Sequence, residues 1–172
     1  MQNLTVIASF PPKGKTHHEY VVGIASYTKN TLLGLRKVYK NLDIKVLSEN
    51  LPGSKDAYND NGIFVKRAWK RGSPLSFLFL LKETLKQTNS KTILFEFELS
   101  MFGGIFSLIF LPLFLILLKL MGKRIILVLH QVVLDVGKIY GHLDIPRNSA
   151  RIYFFNLFSI IFYALVVNIA NK

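Results

Sequence analysis

The chain has 172 residues, half of them hydrophobic, and it carries 22 Lys and Arg against 10 Asp and Glu, a formal charge of +12. This length permits one domain with a substantial core, and the apolar content excludes a largely disordered chain. The absence of cysteine excludes disulfides, thiolate metal sites and a cysteine nucleophile.

The basic charge favours a polyanionic partner. The positive mean hydropathy of +0.34 favours an anionic membrane surface over nucleic acid. Nucleic acid is also disfavoured because the aromatic residues do not interleave with the basic ones in a recognisable motif. The first residues lack the basic region of a signal peptide, so we expect a cytoplasmic protein.

Apolar runs and turn residues predict strands and helices in the order β-α-β-β-α-β-α-β-α-β. The predicted strands cover residues 4–10, 43–47, 63–66, 92–97, 125–129 and 164–169. The predicted helices cover residues 23–39, 73–87, 104–121 and 147–163, and residues 48–61 are predicted to form a loop. This alternation predicts a Rossmann-like, doubly wound α/β fold, a mainly parallel sheet with helices on both faces, in one domain over residues 1–172.

Two apolar segments allow other interpretations. Residues 101–120 contain one charged residue, Lys119, and are long enough to cross a bilayer. Residues 152–170 nearly meet the same criterion. A membrane protein with two spans is therefore one alternative. Strand-like runs flank both segments, and Pro112 lies inside the first. A third interpretation is a helix from Gly104 that packs on the sheet with one face and turns an apolar face to the membrane interface.

A basic segment precedes the second predicted helix. Lys66, Arg67, Lys70 and Arg71 supply positive charge, and Trp69 is a residue type that anchors proteins at membrane interfaces. These residues predict peripheral attachment to the inner face of the cell membrane. The alternative is a solvated basic loop whose Trp69 covers the core.

Four motifs occur in order along most of the chain. They are SFPPKGKTHHEYVVGIASYTKNTLLGL at residues 9–35, FEFELSMFGG at 95–104, KLMGKRIILVLHQVV at 119–133 and ALVVNIANK at 164–172. The second resembles an H-x-E-F-G-x-F-G-G loop, the third an L-G-K-x-V-V-x-T-L-H strand and the fourth an A-D-x-V-I-V-H-S strand. Together they resemble the N-terminal domain of GT-B fold glycosyltransferases, in particular glycosyltransferase family 4. Phe97, Ser100, Asn168 and Asn171 depart from the patterns.

The resemblance implies the acceptor-binding half of an enzyme that transfers a sugar from a nucleotide-sugar donor to a glycan or a lipid-linked or envelope acceptor. The donor would be a substrate, and no permanently bound cofactor is expected. Enzymes of this family carry a second domain that binds most of the donor, and this chain ends at Lys172. We therefore expect a fragment, a half that works with a separate donor-binding subunit, or a non-catalytic relative.

The resemblance also indicates two catalytic residues. His130, at the carboxyl end of a predicted strand, resembles the histidine that contacts the sugar or acceptor, and its imidazole can donate or accept a hydrogen bond near neutral pH. Glu98, with Glu96 as second choice, would accept a hydrogen bond from a sugar hydroxyl or deprotonate it. The alternative for His130 is a structural residue bonded to a neighbouring carbonyl.

Two glycine-containing loops are candidate anion sites. Lys13, Gly14 and Lys15 combine flexible backbone amides with two cations beside a helix start, and Gly103 and Gly104 open the long apolar helix. A basic glycine loop is more often a simple turn. The neighbouring His17 and His18 have no acidic cluster nearby, so no metal site is expected.

Two further functions stay open at this stage. One is a membrane-anchoring subunit without catalytic residues that recruits a catalytic partner. The other is the integral protein with two spans.

Overall fold

The computed structural model describes residues 2–15, 22–99, 101–103, 105–135, 137–138 and 150–170. The strands are β1 (Gln2–Ile7), β2 (Leu42–Glu49), β3 (Ala57–Asp60), β4 (Ile63–Trp69), β5 (Thr92–Phe97) and β6 (Arg124–Leu129). The helices within these residues are α1 (Val22–Val38), α2 (Ser76–Leu85), α3 (Ile105–Leu108), α4 (Phe110–Leu120) and α5 (Ala150–Ile169).

The six strands form one sheet in the order β3-β4-β2-β1-β5-β6. Every neighbouring pair is parallel except β3 and β4, which are antiparallel. Val6 and Ile7 of β1 and Phe95 of β5 are fully buried, as expected where a parallel sheet is covered on both faces. The protein therefore has an α/β fold with a mostly parallel, mixed sheet, consistent with a Rossmann-like fold, and the predicted class is confirmed to that extent.

Two apolar cores lie on opposite faces of the sheet. On one face, Leu32 of α1 packs with Val6, Ile44 and Val65. On the other face, α2, α4 and α5 contribute side chains that pack with Ile7 and alternate residues of β5. Because side chains alternate along a strand, each strand except β3 supplies residues to both cores.

A hairpin replaces part of the predicted loop. Strand β3 pairs with β4 from Asp60↔Ile63 to Ala57↔Lys66, and Asn61 and Gly62 form the turn with φ of 53° and 79°. Two central residues with positive φ are typical of the tight hairpin turn that Asn-Gly favours. The predicted loop over residues 48–61 is therefore wrong at Ala57–Asp60, which form β3, and at its first two residues, which complete β2. Strand β4 continues beyond Lys66 to Trp69.

Prolines explain two other differences. The first strand ends at Ile7 rather than at residue 10, and Pro11 and Pro12 follow, which lack the N–H that a sheet requires. The apolar segment 101–120 does not form one continuous helix. Helix α3 ends at Leu108, and α4 begins at Phe110, because Pro112 has no N–H to donate to the Leu108 carbonyl. At 11 residues, α4 is about 17 Å long, too short to cross a bilayer.

The predicted last strand, residues 164–169, is helical. These residues complete α5, whose buried positions Ile152, Ser159, Phe162, Tyr163 and Val166 recur at helical spacing. Burial of that stripe against α4 decides the conformation, and the β-branched residues at the end follow the helix. The predicted helix start at residue 147 lies outside the described residues.

Candidate functional site

The connections of the sheet define one edge as the place where a ligand would bind. Strand β1 pairs with β2 on one side and with β5 on the other, so the strand order changes sides at β1. In open parallel sheets, ligands bind outside the carboxyl ends of the strands at such a switch point. The residues that follow β1, β5 and β6 at this edge form the candidate site.

Glu96 and His130 meet at this edge. Oε2 of Glu96 lies 3.5 Å from Nε2 of His130, and the same oxygen accepts a hydrogen bond from the Thr28 hydroxyl. The ring of Tyr27 stands edge-on to the imidazole, with the ring centres 4.7 Å apart. The Glu96–His130 pair thus sits between two adjacent strand ends and the first turns of α1.

Backbone pairing fixes this arrangement. Strand β5 runs beside β6 with Phe97↔Leu129 as the last pair, and the His130 N–H donates to the Phe97 carbonyl at 3.0 Å. Alternation turns Phe95 and Phe97 into the core under α2 and α4, so Glu96 points to the face that α1 covers. Helix α1 therefore delivers Thr28 to Glu96 across the sheet surface.

Burial determines the electrostatics of the pair. Glu96 is 1% exposed, and this burial raises the pKa of its carboxyl group, while the Thr28 hydrogen bond and the neighbouring His130 act in the opposite direction. The side chain of His130 is 16% exposed. Its Nε2 has no hydrogen-bond partner among the described residues, because the contact with Glu96 is longer than a hydrogen bond. The imidazole therefore links a buried carboxyl group to the surface of the molecule.

Glu98 lies just beyond the end of β5. Its side chain is partly buried, and its carbonyl accepts a hydrogen bond from the Met101 N–H at 3.0 Å in the turn that follows. The second-choice acid, Glu96, is the one that faces His130. The catalytic role predicted for Glu98 stays a prediction.

The basic segment corrects two predicted membrane contacts. Arg67 is 5% exposed and donates to the carbonyls of Phe10 and Pro11, to Ser48 and to the Tyr58 hydroxyl. Trp69 is 1% exposed, and its ring packs on Phe102 with ring centres 4.6 Å apart. The prediction that Arg67 and Trp69 contact a membrane is wrong in this fold, because both are interior residues. Trp69 packs in the core, as the alternative expected, but Lys66, Arg67 and Trp69 lie in strand β4 rather than in a solvated loop.

The other basic residues of that segment lie nearer the surface. Lys70 and Arg71 are exposed, and the partly buried Lys66 forms an ion pair with Glu83 at 3.4 Å. Their predicted membrane contact stays a prediction.

Arg67 has a structural role at the candidate site. Its guanidinium group is held on the carbonyls of the loop that follows β1, and burial raises the pKa of its partner Tyr58 to about 12. The Tyr58 hydroxyl also donates to the Pro11 carbonyl. This network holds the loop that follows β1 in place. That loop contains Lys13, Gly14 and Lys15 and leads to α1.

The first predicted anion loop is an exposed turn. Gly14 has φ of 76°, and the Lys15 N–H donates to the Pro12 carbonyl, so that amide is used within the turn. The Lys15 carbonyl accepts a hydrogen bond from Lys29, which also forms a buried ion pair with Asp60 at 2.7 Å. The cations of Lys13 and Lys15 are exposed at the carboxyl edge, and their role in binding an anion stays a prediction.

The second predicted anion loop is shaped by packing. Gly103 has φ of 83°, and a Cβ atom there would lie 2.6 Å from the backbone nitrogen of Gly72. The Gly72 N–H in turn donates to the Phe102 carbonyl at 2.8 Å. Close contact between the loops after β4 and β5 therefore accounts for Gly103. Gly104 lies outside the described residues.

Other features of the described residues do not compete with this edge. No group of three His, Asp or Glu side chains in that part of the chain could hold a metal ion, and His17 and His18 lie outside it. A polar depression of about 150 Å³, lined by Asn3, Asp43, Lys86 and neighbouring residues, lies at the amino ends of β1 and β2. It lies opposite the carboxyl ends of the strands, outside which ligands bind in open parallel sheets.

Tyr27 and Thr28 were missed by sequence reasoning. Tyr27 lies within the first motif, residues 9–35, in the predicted helix over residues 23–39, but its position there gave no reason to assign the ring a function. Thr28 is 68 residues from Glu96 along the chain, so no local pattern could connect them.

Comparison with known proteins gives no match: no protein-family model, no curated protein and no solved structure is similar to this chain.

Proposed function

We propose that this chain is the acceptor-binding half of a glycosyltransferase, and that His130 takes the proton of the acceptor hydroxyl with Glu96 behind it. The donor would be a nucleotide sugar, supplied by a separate or following donor-binding domain. The acceptor would be a glycan or a lipid-linked sugar at the cytoplasmic face of the membrane. The observation that carries the proposal is the 3.5 Å contact of Glu96 and His130 at the switch point of the sheet.

The chemistry follows from the orientation of the imidazole. Nε2 faces Glu96, which leaves Nδ1 as the ring atom for a ligand hydroxyl. A carboxyl group behind an imidazole holds the ring in one orientation and stabilises its protonated form. In the transfer step, the acceptor oxygen bonds to the anomeric carbon, its proton goes to His130, and the nucleoside diphosphate leaves with the electron pair of the broken bond.

Glu96 would be a positioning residue, because it is buried beneath His130 and does not reach the surface. Tyr27, which is half exposed, stands beside the imidazole and offers an aromatic face or hydroxyl to a sugar. The exposed cations of Lys13 and Lys15 lie on the loop after β1 at the same edge and would attract the diphosphate of the donor.

The experiment is an NMR titration of the histidine ring signals with a panel of methyl glycosides, without any donor. We expect the His130 signal to shift with at least one glycoside. His130→Ala removes that signal, and Glu96→Gln should weaken the response because the carboxyl group that faces the imidazole is lost. Val38→Ala, at an exposed position at the end of α1, is the control variant and should leave the response unchanged.

Two results would contradict the proposal. One is the absence of any His130 response across the panel. The other is rapid turnover of a nucleotide sugar by this chain alone, since the proposal assigns donor binding to another domain. A Glu96→Gln variant whose His130 signal responds to the glycosides like that of the original chain would remove Glu96 from the mechanism.

A further inference from the structure

The helices on one face of the sheet expose an unusual number of large apolar side chains. We call this set the apolar face, and its members are each at least 41% exposed. It comprises Leu75, Leu78, Phe79 and Leu85 of the α2 region, Ile109, Phe110, Leu113, Ile116 and Leu120 of the α4 region, and Tyr153, Phe154, Leu157, Ile160, Ile161, Leu165 and Val167 of α5.

These side chains lie on neighbouring helices. Helix α4 packs against both α2 and α5, so the three helices form one layer over the sheet. Their inward side chains, including Leu80, Leu115 and Phe162, fill the core. The outward side chains therefore form a continuous surface rather than scattered apolar residues, and contiguous surfaces of this kind mark interaction sites.

The exposed charges on the helices of this layer have one sign. The charged residues of α2, α4 and α5 are Lys82, Glu83, Lys119 and Arg151. Glu83 is buried and forms ion pairs with Lys66 and Lys86, whereas Lys82, Lys119 and Arg151 are exposed. Beside α5, the exposed carboxylate of Asp135 accepts a hydrogen bond from Asn156. The three helices themselves thus present apolar side chains and exposed positive charge, which complements an anionic lipid surface.

Helix α5 packs within this layer. By length and composition alone it could cross a bilayer, with a mean hydropathy of 2.0. Its Tyr163 hydroxyl, however, donates to the Gln131 carbonyl and accepts from the Val133 N–H, and the Ile169 carbonyl at its end accepts a hydrogen bond from Lys119. A buried stripe from Ile152 to Val166 packs it along the domain. These contacts lay α5 beside α4, with its outward side exposed.

We propose that the apolar face docks on the surface of an anionic lipid bilayer, with the outward side chains of α4 and α5 inserted at the level of the headgroups. This inference rests on the proposed function, in which the acceptor is a glycan or a lipid-linked sugar at the membrane. It deepens that function by naming the surface that holds the protein at the membrane. It replaces the interior residues Arg67 and Trp69 as the membrane contact. The aromatic rings of Tyr153 and Phe154 suit the interface.

The test is co-sedimentation of the whole chain with vesicles. Vesicles of phosphatidylethanolamine and phosphatidylglycerol present anionic lipid, and vesicles of phosphatidylcholine alone do not. We expect binding to the first, weaker binding to the second, and a decrease with added salt because screening weakens the electrostatic part. The double variant Leu113→Asp/Leu157→Asp should bind at least about tenfold more weakly, because the free energy gained by transferring two leucine side chains from water into the bilayer is lost.

The matched control is Val38→Asp/Tyr39→Asp. These residues are 72% and 56% exposed at the end of α1, on the opposite side of the sheet. The control should bind vesicles as the original chain does. Circular dichroism of both variants confirms that they fold, which is expected because all four positions are exposed.

The outcomes separate this inference from the proposed reaction. Equal vesicle binding by the face variant and the control variant would overturn the docking surface. So would a dimer, seen by light scattering, that the face variant dissociates while neither protein binds vesicles, because a second copy would then cover the face. The His130→Ala variant should keep its vesicle binding whether or not the reaction is as proposed.

Discussion

Replacing Gly103 by alanine should lower the free energy of unfolding by about 2–3 kcal/mol. Gly103 has φ of 83°, a left-handed conformation that costs an L-residue about 1–2 kcal/mol. The added Cβ would also lie 2.6 Å from the Gly72 nitrogen, which is backbone and has no rotamer to escape into. Moving that strand-end loop breaks the hydrogen bond from the Gly72 N–H to the Phe102 carbonyl, worth about 1 kcal/mol.

Gly53→Ala is the matched control. Gly53 has a similar φ of 70°, but a Cβ there would have no atom within 4 Å. It should therefore cost only the conformational part, about 1–2 kcal/mol. The difference between the two variants isolates the contact between the loops after β4 and β5.

Urea unfolding followed by tryptophan fluorescence measures both variants. Trp69 is the single tryptophan of the chain and packs on Phe102, so its emission reports directly on this contact. For a chain of this size, each kcal/mol also shifts the melting temperature by about 2–4 °C. Equal losses for Gly103→Ala and Gly53→Ala would refute the packing explanation for Gly103.

Four other predictions concern buried polar groups. Because burial raises the pKa of Glu96, the contribution of this group to stability is greatest below the ordinary carboxyl pKa and is lost as the pH rises through the raised pKa. Glu96→Gln should flatten the pH dependence of the free energy of unfolding measured in urea. Identical pH dependences for the variant and the original chain would contradict this. Arg67→Met should cost about 2–4 kcal/mol through lost hydrogen bonds to the β1 loop, and a loss below about 1 kcal/mol in thermal unfolding would show that the loop holds without it. In an absorbance titration, Tyr58→Phe should remove the step near the pKa of about 12, and its persistence would assign that step to another tyrosine. Lys29→Met should lower the free energy of unfolding by about 3 kcal/mol, because it leaves the buried Asp60 carboxylate without its ion-pair partner. Adding Asp60→Asn to that variant should recover part of the loss; if the losses of the two single variants simply add in the double variant, the two residues do not stabilise the fold as a pair.

The central sheet could be predicted from local pattern. Residues 92–97 and 125–129 are short apolar runs bounded by turn residues, and they form β5 and β6 almost as predicted. A strand buried on both faces needs such a run, so the pattern and the structure have one cause. The hairpin of β3 and β4 could have been predicted as well, because Asn61–Gly62 is a strong turn signal that the sequence reasoning did not use.

The candidate site was only partly predictable. His130 follows the end of a strand, which the sequence marks, and the strand-end position places it at the carboxyl edge. The choice between Glu96 and Glu98 depended on where β5 ends and on which side α1 covers. Thr28 comes from a helix 68 residues away, a contact that no spacing rule contains.

The sequence by itself determined the alternation of strands and helices, the excess of positive charge and the apolar character of the segments around residues 110 and 160. Only the tertiary structure decided that Trp69 and Arg67 are interior, that residues 164–169 are helical, and that the outward sides of α2, α4 and α5 form one surface. Composition and periodicity report how much apolar surface an element has to bury. Which neighbour buries it, and which side stays exposed, depends on contacts between residues far apart in the chain.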